Sequence, residues 1–300
     1  MAETPPTLQI GSFKVAFLTD GLWRNDGGCM FGVVPRELWK HNHPPDAQNR
    51  IRLNLTCPLI VRGHDAIVVD TGIGNRLDSV ERKIFDHGDG WLPDHLHALG
   101  MELGDVTAVI VSHLHFDHCG GLVRKRESGT LESAFPNATI FVQKGELEIA
   151  QNPRNERLHA AYRHAIEILA PNRPRLEPIE GSMEIIPGVF ATPTGGHTRD
   201  HQVARVVDGD ASFVHLADIV PTRSHLRGPW NQAYDLDAIT TMEQKARYLS
   251  SAVKENTWLS FAHDDTVFAA QVKNDRGRIV LSERIDVAQN LRQEPNRIDL

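Results

Sequence analysis

Most of what would mark a secreted, fibrous or nucleic-acid-binding protein is missing from this sequence. Only three cysteines, Cys29, Cys57 and Cys119, occur in 300 residues. An odd number of widely spaced thiols provides no disulfide framework and fits a reducing compartment, where free cysteine packs as a small hydrophobe. Aromatic residues are scarce at 6%, so two or three of them gathered at one place would carry information. No uncharged apolar run reaches the roughly 18 residues of a membrane span, and the opening MAETPPTLQIGS has neither part of a secretory signal. The expectation is a soluble, cytoplasmic chain with no membrane partner. Positive charge is in deficit too, with 32 Lys and Arg against 39 Asp and Glu, and RKR at 124–126 is the one basic run. A polyanion needs a concentrated positive field, so nucleic acid is not expected as a partner. No linker, low-complexity tract or internal repeat divides the chain, and residues 1–300 are expected to form a single domain.

What is present is 40% hydrophobic content, enough for an extensive core at this length. Much of it falls in short β-rich segments: Phe13 to Thr19, Pro58 to Arg62, Ala66 to Val69, Ala108 to Val111, Thr139 to Val142 and Met183 to Ile186. Val189 to Thr192, Val203 to Val207, Phe213 to Ala217 and Trp258 to Ala262 continue the series. Periodicity places helices near 92–99, 144–151, 155–169 and 238–254. The last puts Ile239, Met242, Ala246, Leu249 and Val253 on one face, with Asp237 as its N-cap. Many strands with helices between them imply an α/β sandwich.

The chemistry concentrates in VIVSHLHFDHCGG, residues 109–121. Residues i and i+2 of an extended segment point the same way, so His113 and His115 can converge on one ion. Asp117 and His118 follow on the other side of the loop and can serve a second. The HLH at 95–97 is a contrast, because side chains two apart on a helix diverge by about 200° and cannot share a metal. Further donors leave other strand ends: His197 in TPTGGHT, Asp218 in FVHLAD and His263 in WLSFAHDD. Loops at the ends of a rigid sheet can bring such groups together without disturbing the core.

These residues, with VVDTG at 68–72, HLHFDH at 113–118 and GGH at 195–197, resemble the metallo-β-lactamase-fold superfamily over essentially the whole chain. The resemblance implies a four-layer αββα sandwich and a dinuclear site. By that analogy His113, His115 and His197 hold one ion, Asp117, His118 and His263 the other, and Asp218 bridges them. Asp70 matches an aspartate that orients a ligand histidine. Such donors favour two Zn²⁺ ions, and Fe, Co or Mn also suit them. Water between two such cations ionises near neutral pH. The expected reaction is attack of a metal-bridging hydroxide on an ester, with Asp117 as proton carrier and residual positive charge stabilising the oxyanion.

DGGCMFGVVPRELW, PPDAQNRIRLNLTCPLIV and RSHLRGPWNQAYDLD look like the branch containing N-acyl-homoserine lactonases and methyl parathion hydrolases. Zinc β-lactamases have Cys where Asp218 stands, and Cys119 is misplaced to substitute. Redox di-iron relatives have Glu in place of His115. Glyoxalase II relatives add a helical C-terminal region, whereas VFAAQVKNDRGRIVLSE reads as a β-hairpin. One departure concerns a tyrosine that some of these lactonases place three positions beyond the bridging Asp. Pro221 stands there, and Tyr234 is a candidate for the same space. The expected activity is opening of a lactone ring, an N-acyl-homoserine lactone among the candidates, with phosphotriester or aryl ester hydrolysis as the alternative. A binding protein with an inert metal site is disfavoured by the complete donor set. Met30, Phe31, Phe116, Trp230 and Tyr234 are candidates to wall an apolar pocket for a small ester or lactone. A homodimer is compatible with the sequence and not specified by it.

Overall fold

Successive side chains of a strand point to opposite faces of the sheet, and in this chain both faces are apolar. In the computed structural model, which describes residues 4–88 and 90–287, Leu59, Val68 and Val109 enter one core while their neighbours Ile60, Ile67 and Ile110 enter another. A sheet of that kind must be covered on both sides.

The first sheet contains β1 (Thr7–Ile10), β2 (Phe13–Asp26), β3 (Arg50–Arg62), β4 (Asp65–Val69) and β5 (Ala108–Ile110). A small hairpin of β6 (Val123–Lys125) and β7 (Leu131–Ser133) intervenes before β8 (Thr139–Gln143) and β9 (Leu176–Ile179) complete it. Its order is β1-β2-β3-β4-β5-β8-β9, antiparallel as far as β4 and parallel beyond. The second sheet runs in sequence order from β10 (Met183–Ile186) through β11 (Val189–Pro193), β12 (Gln202–Asp208), β13 (Ala211–His215), β14 (Trp258–Ser260) and β15 (Val267–Asp275) to β16 (Arg278–Asp286). Its pairs are antiparallel except β13 with β14. The helices are α1 (Gly27–Phe31), α2 (Arg36–Trp39), α3 (Ser79–Phe85), α4 (Leu92–Ala98), α5 (Phe116–Cys119), α6 (Lys144–Gln151), α7 (Glu156–Ala161), α8 (Ala165–Leu169) and α9 (Ala238–Glu255).

Between the sheets, Phe17 stacks on Phe268 at 5.8 Å and meets Phe213 edge-on at 6.1 Å. The outer face of the first sheet is covered by Leu92, Leu96, Leu147, Ala165 and Ile168 from α4, α6 and α8. Tyr248, Leu249 and Ala252 of α9 cover Val203, Val214 and Leu259 of the second. The layers therefore run α, β, β, α, the expected sandwich. No helix among the described residues is long and apolar enough to cross a membrane.

Several local expectations change. The helix expected over 155–169 is two short ones, α7 and α8, because the intervening Tyr162 turns into the core, where it is 2% exposed. The buried face of α9 is Thr241, Lys245, Tyr248, Leu249 and Ala252, while Ile239 is 62% exposed and Ala246 is exposed. Lys245 turns inward because its Nζ donates to the Trp230 carbonyl at 2.5 Å and to Asn231 Oδ1 at 2.9 Å. Burial pulls this ammonium down to about 8. Asp237 caps α9 as expected, accepting from the Ile239 and Thr240 amides. β3 begins at Arg50 rather than Pro58, since Ile51, Leu53, Leu55 and Cys57 alternate inward with polar neighbours. Together β2 and β3 make a long ribbon that reaches the candidate site. His95 and His97 diverge as expected: one is buried with Nδ1 on the Thr19 amide, the other faces solvent beside Glu102.

Phe17→Ala is expected to cost about 3–5 kcal/mol, read as a lower urea midpoint at unchanged slope. Ile239→Ala, on the solvent side of α9, should change the same midpoint by less than about 0.5 kcal/mol.

Candidate metal centre

The candidate ligands come from loops at corresponding ends of the two sheets. After β5 the chain stays extended through His115 (φ −69, ψ 148) and then enters α5, which turns Asp117 and His118 back across the loop. His197 follows Gly195 and Gly196, at φ 66 and 87. A Cβ at Gly196 would lie 2.6 Å from Thr241 Oγ1 and 2.8 Å from Thr241 N, so only glycine lets α9 pack against this loop. Asp218 lies in a short 3₁₀ turn after β13, and Ala217 before it has φ 44. His263 follows β14, with its amide donating to the Pro221 carbonyl at 2.8 Å.

All seven side chains meet, in two adjoining nests. In the first, His115 Nδ1 lies 2.9 Å from His113 Nε2 and 3.1 Å from His197 Nε2, and Asp218 Oδ2 lies 3.2 Å from His197 Nε2. In the second, His118 Nε2 and His263 Nε2 are 3.2 Å apart, with Asp117 Oδ2 at 3.6 and 3.5 Å from them. Asp218 Oδ1 lies 3.4 Å from His118 Nε2 and 3.2 Å from His263 Nε2. A tetrahedral ion with ligands at about 2.0–2.1 Å spaces its donors by about 3.3 Å, so both nests have the dimensions of a cation site.

The far side of most rings is already engaged. His118 Nδ1 donates to Asp70 Oδ2 at 2.8 Å, His197 Nδ1 to Asp235 Oδ1 at 2.9 Å and His263 Nδ1 to the Asn54 carbonyl at 3.0 Å. His113 Nδ1 meets Ser112 Oγ at 3.0 Å. Protons held there leave lone pairs on the inward nitrogens. Asp218 Oδ1 is buried without a hydrogen-bond donor, an arrangement that is costly unless a cation faces it. The residues therefore fit a pair of cations. Their electrostatics agree. Burial and the neighbouring imidazoles push His113 and His115 well below the usual histidine range. Burial would lower His118 as well, but Asp117, Asp218 and Asp70 outweigh it and raise that group well above the range. Burial opposes ionisation of Asp218, yet His197, His263 and His118 hold its carboxyl well below the ordinary value. This is a field that draws positive charge to one point.

Asp70, at φ 54 in the turn after β4, also accepts from the Ser112 amide and hydroxyl, both at 2.7 Å, and so fixes the start of the histidine loop as well as His118. Ser112, Asn54, His201, Gln232 and Asp235 were not anticipated. His201 Nε2 accepts the Asp218 amide at 3.3 Å, and Gln232 Nε2 donates to Asp218 Oδ2 at 3.0 Å. Burial and His197 hold His201 down at about 3, so it is neutral and able to accept. Ser112 adjoins the motif and His201 follows His197 by four, so both were within reach of the sequence; Asn54, Gln232 and Asp235 carried no local signal.

The expected pocket wall is placed differently. Met30, Phe31 and Trp230 are buried in a packed cluster, with Phe31 stacked on His225 at 4.8 Å and on Trp39 at 5.2 Å. Three aromatic rings filling one another's faces leave no surface for a ligand. Phe116 is half-buried, edge-on to Trp23 at 6.1 Å, and Trp23 lies 5.6 Å from the His263 ring. Tyr234 is 37% exposed and donates to Asn25 Oδ1 at 3.2 Å.

Residues 53–263 match the metallo-beta-lactamase superfamily. An N-acyl homoserine lactonase of a Bacillus species is 30% identical over 191 residues, 63% of this chain; the alignment spans 66% of that relative's length, just under two thirds. The crystal structure of a probable metal-dependent hydrolase from Staphylococcus aureus has a TM-score of 0.84 at 28% identity, covering 93% of this chain and 100% of its own. AidC, a dizinc quorum-quenching lactonase in complex with a product N-hexanoyl-L-homoserine, has a TM-score of 0.76 at 21% identity, covering 95% and 98%. The second likeness speaks to the fold alone. Enzymes of this fold bind divalent metals, and the two nests are where such ions fit. The chain belongs to the metallo-β-lactamase superfamily, and N-acyl homoserine lactonases are among its relatives.

Proposed function

We propose that this chain is a dinuclear metal-dependent lactonase that opens lactone rings, with N-acyl-homoserine lactones as the first substrates to try. The observation that carries the reading is the division of Asp218. Its Oδ2 approaches His197 and its Oδ1 approaches His118 and His263, so one carboxylate serves two nests side by side. When bound, two divalent cations, Zn²⁺ or alternatively Fe, Co or Mn, would supply an acidified water and an electrophile for the ester oxygen. In this reading His113, His115 and His197 hold one ion and Asp117, His118 and His263 the other.

Access is one-sided. His115, Phe116 and Asp117 are partly exposed, whereas His113, His118, His197, Asp218 and His263 are buried. Substrate therefore approaches over the start of α5, and Asp117, 11% exposed in its side chain, is the carboxylate at that lip. Its carboxylate is placed to take a proton from water and return it to the departing alkoxide. Phe116, half-buried and packed edge-on against the buried Trp23, offers an apolar surface beside the second nest. Pro221 is tied to His263 through its carbonyl, so position 221 supports a ligand here instead of meeting substrate. Tyr234 remains at the lip. Burial, then Cys29 and Asp117, push its phenol above the usual range, which keeps it a donor.

The same constellation would serve an aryl phosphotriester, and the partly exposed Phe116 ring at the lip favours that second reading for an aryl leaving group. On metal-loaded protein, kcat/KM for acyl-homoserine lactones is expected to exceed that for paraoxon-like triesters by orders of magnitude; triesters ahead would reverse the two readings. His115→Ala should remove about one equivalent of metal and lower kcat/KM by more than about a hundredfold, and an unchanged metal content would overturn the ligand assignment. Asp235→Asn should keep both ions in excess metal while weakening one of them about ten- to a hundredfold, measured by chelator competition.

A further inference from the structure

One buried side chain ties together two loops that carry candidate ligands, and it belongs to neither. Glu146 lies in the first turn of α6 and is fully buried. Its Oε2 accepts from the Leu114 amide and from the Tyr162 hydroxyl, both at 2.9 Å, and its Oε1 accepts from the Thr198 hydroxyl at 2.6 Å. Leu114 separates His113 from His115, and Thr198 follows His197. The first loop leaves the first sheet and the second belongs to the other sheet, so this carboxylate braces one sheet against the other beside the first nest. Tyr162 adds a third contact, with its ring 5.6 Å from the His115 imidazole.

His115 is the histidine that most needs such a brace. His113, His118, His197 and His263 each have a hydrogen bond on the ring nitrogen that faces away from the nest. Among the described residues the His115 imidazole has no hydrogen bond outside the cluster, and it is partly exposed. Its place is set through the backbone of Leu114 and the ring of Tyr162, and both of those end on Glu146. A carboxylate held by three neutral donors in a fully buried site is an expensive way to fill space. An apolar residue would pack there without the desolvation cost.

We propose that Glu146 is a positioning residue for the first nest, holding the His113–His115 loop and the His197 loop at the separation a metal ion requires without touching the ion. The inference rests on the dinuclear reading above and extends it to a residue outside the ligand set. It distinguishes the two nests, since His118 and His263 are fixed by Asp70 and Asn54 and owe nothing to Glu146.

The test uses the full chain loaded with Co²⁺, as wild type, Glu146→Leu, Glu146→Gln and Thr198→Val. Each equivalent is followed by chelator competition and by the visible spectrum, and thermal melts of the metal-free proteins report folding. Glu146→Leu is expected to weaken one equivalent by about tenfold or more and leave the other unchanged. Glu146→Gln should stay within about threefold, because its amide can accept from Leu114 and donate to Thr198. Thr198→Val cuts one arm of the brace and should weaken the same equivalent, which keeps the question open to measurement should Glu146→Leu not fold. Wild-type affinity for both equivalents in Glu146→Leu and Thr198→Val would overturn the proposal, as would a loss shared evenly by both equivalents. A wild-type protein that binds fewer than two equivalents would overturn the dinuclear reading itself, and that failure is visible before any substitution is made.

Discussion

Five imidazoles and two carboxylates share a largely buried space here, with donor atoms about 3 Å apart, and that crowding governs the surrounding structure. Lone pairs at such separations repel one another unless positive charge lies between them. Everything near the cluster serves to hold it against that repulsion. Asp70, Asp235, Asn54 and Ser112 take up the outward ring nitrogens, and His201 and Gln232 grip the shared carboxylate by its amide and one oxygen. Because these partners come from both sheets, the packing of Phe17 on Phe213 and Phe268 is a condition of the site as much as of the fold.

Part of the backbone strain is found at the same place. Asp70 and Ala217 have left-handed backbones at φ 54 and 44 without being glycine, at a cost of about 1–3 kcal/mol each. Asp70 stands where β4 ends and Ala217 stands one residue before Asp218. In both cases the turn aims a carboxylate at the histidines that a relaxed backbone would send elsewhere. The surrounding sheets carry that strain, since strand pairing on either side fixes where each loop begins.

The parts of this design that are local were legible in the sequence. The period-two spacing of His113 and His115, the reversal at Asp117 and His118, and the strand ends before His197, Asp218 and His263 depend on a few neighbouring residues each. The alternation of strands and helices implied an α/β sandwich, and the family resemblance implied its four layers. Features that depend on distant contacts were not legible. Lys245 turns inward on α9 only because the carbonyl of Trp230 waits there, and Phe31 is buried only because Trp39 and His225 close over it. Asp235 and Glu146 look like ordinary surface acids until the chain is folded. Their partners lie 38 and 52 residues away, at His197 and Thr198.

His118 and His263 come within 3.2 Å of each other across 145 positions of chain. Neither nest is complete until the second sheet has docked on the first, because each draws donors from both. A cation seated there would act as a clasp fastened last, joining early and late portions of the polypeptide, and its binding energy would count toward the assembled state alone. Metal supply in the cell would then govern how long the finished protein lasts as well as whether it works.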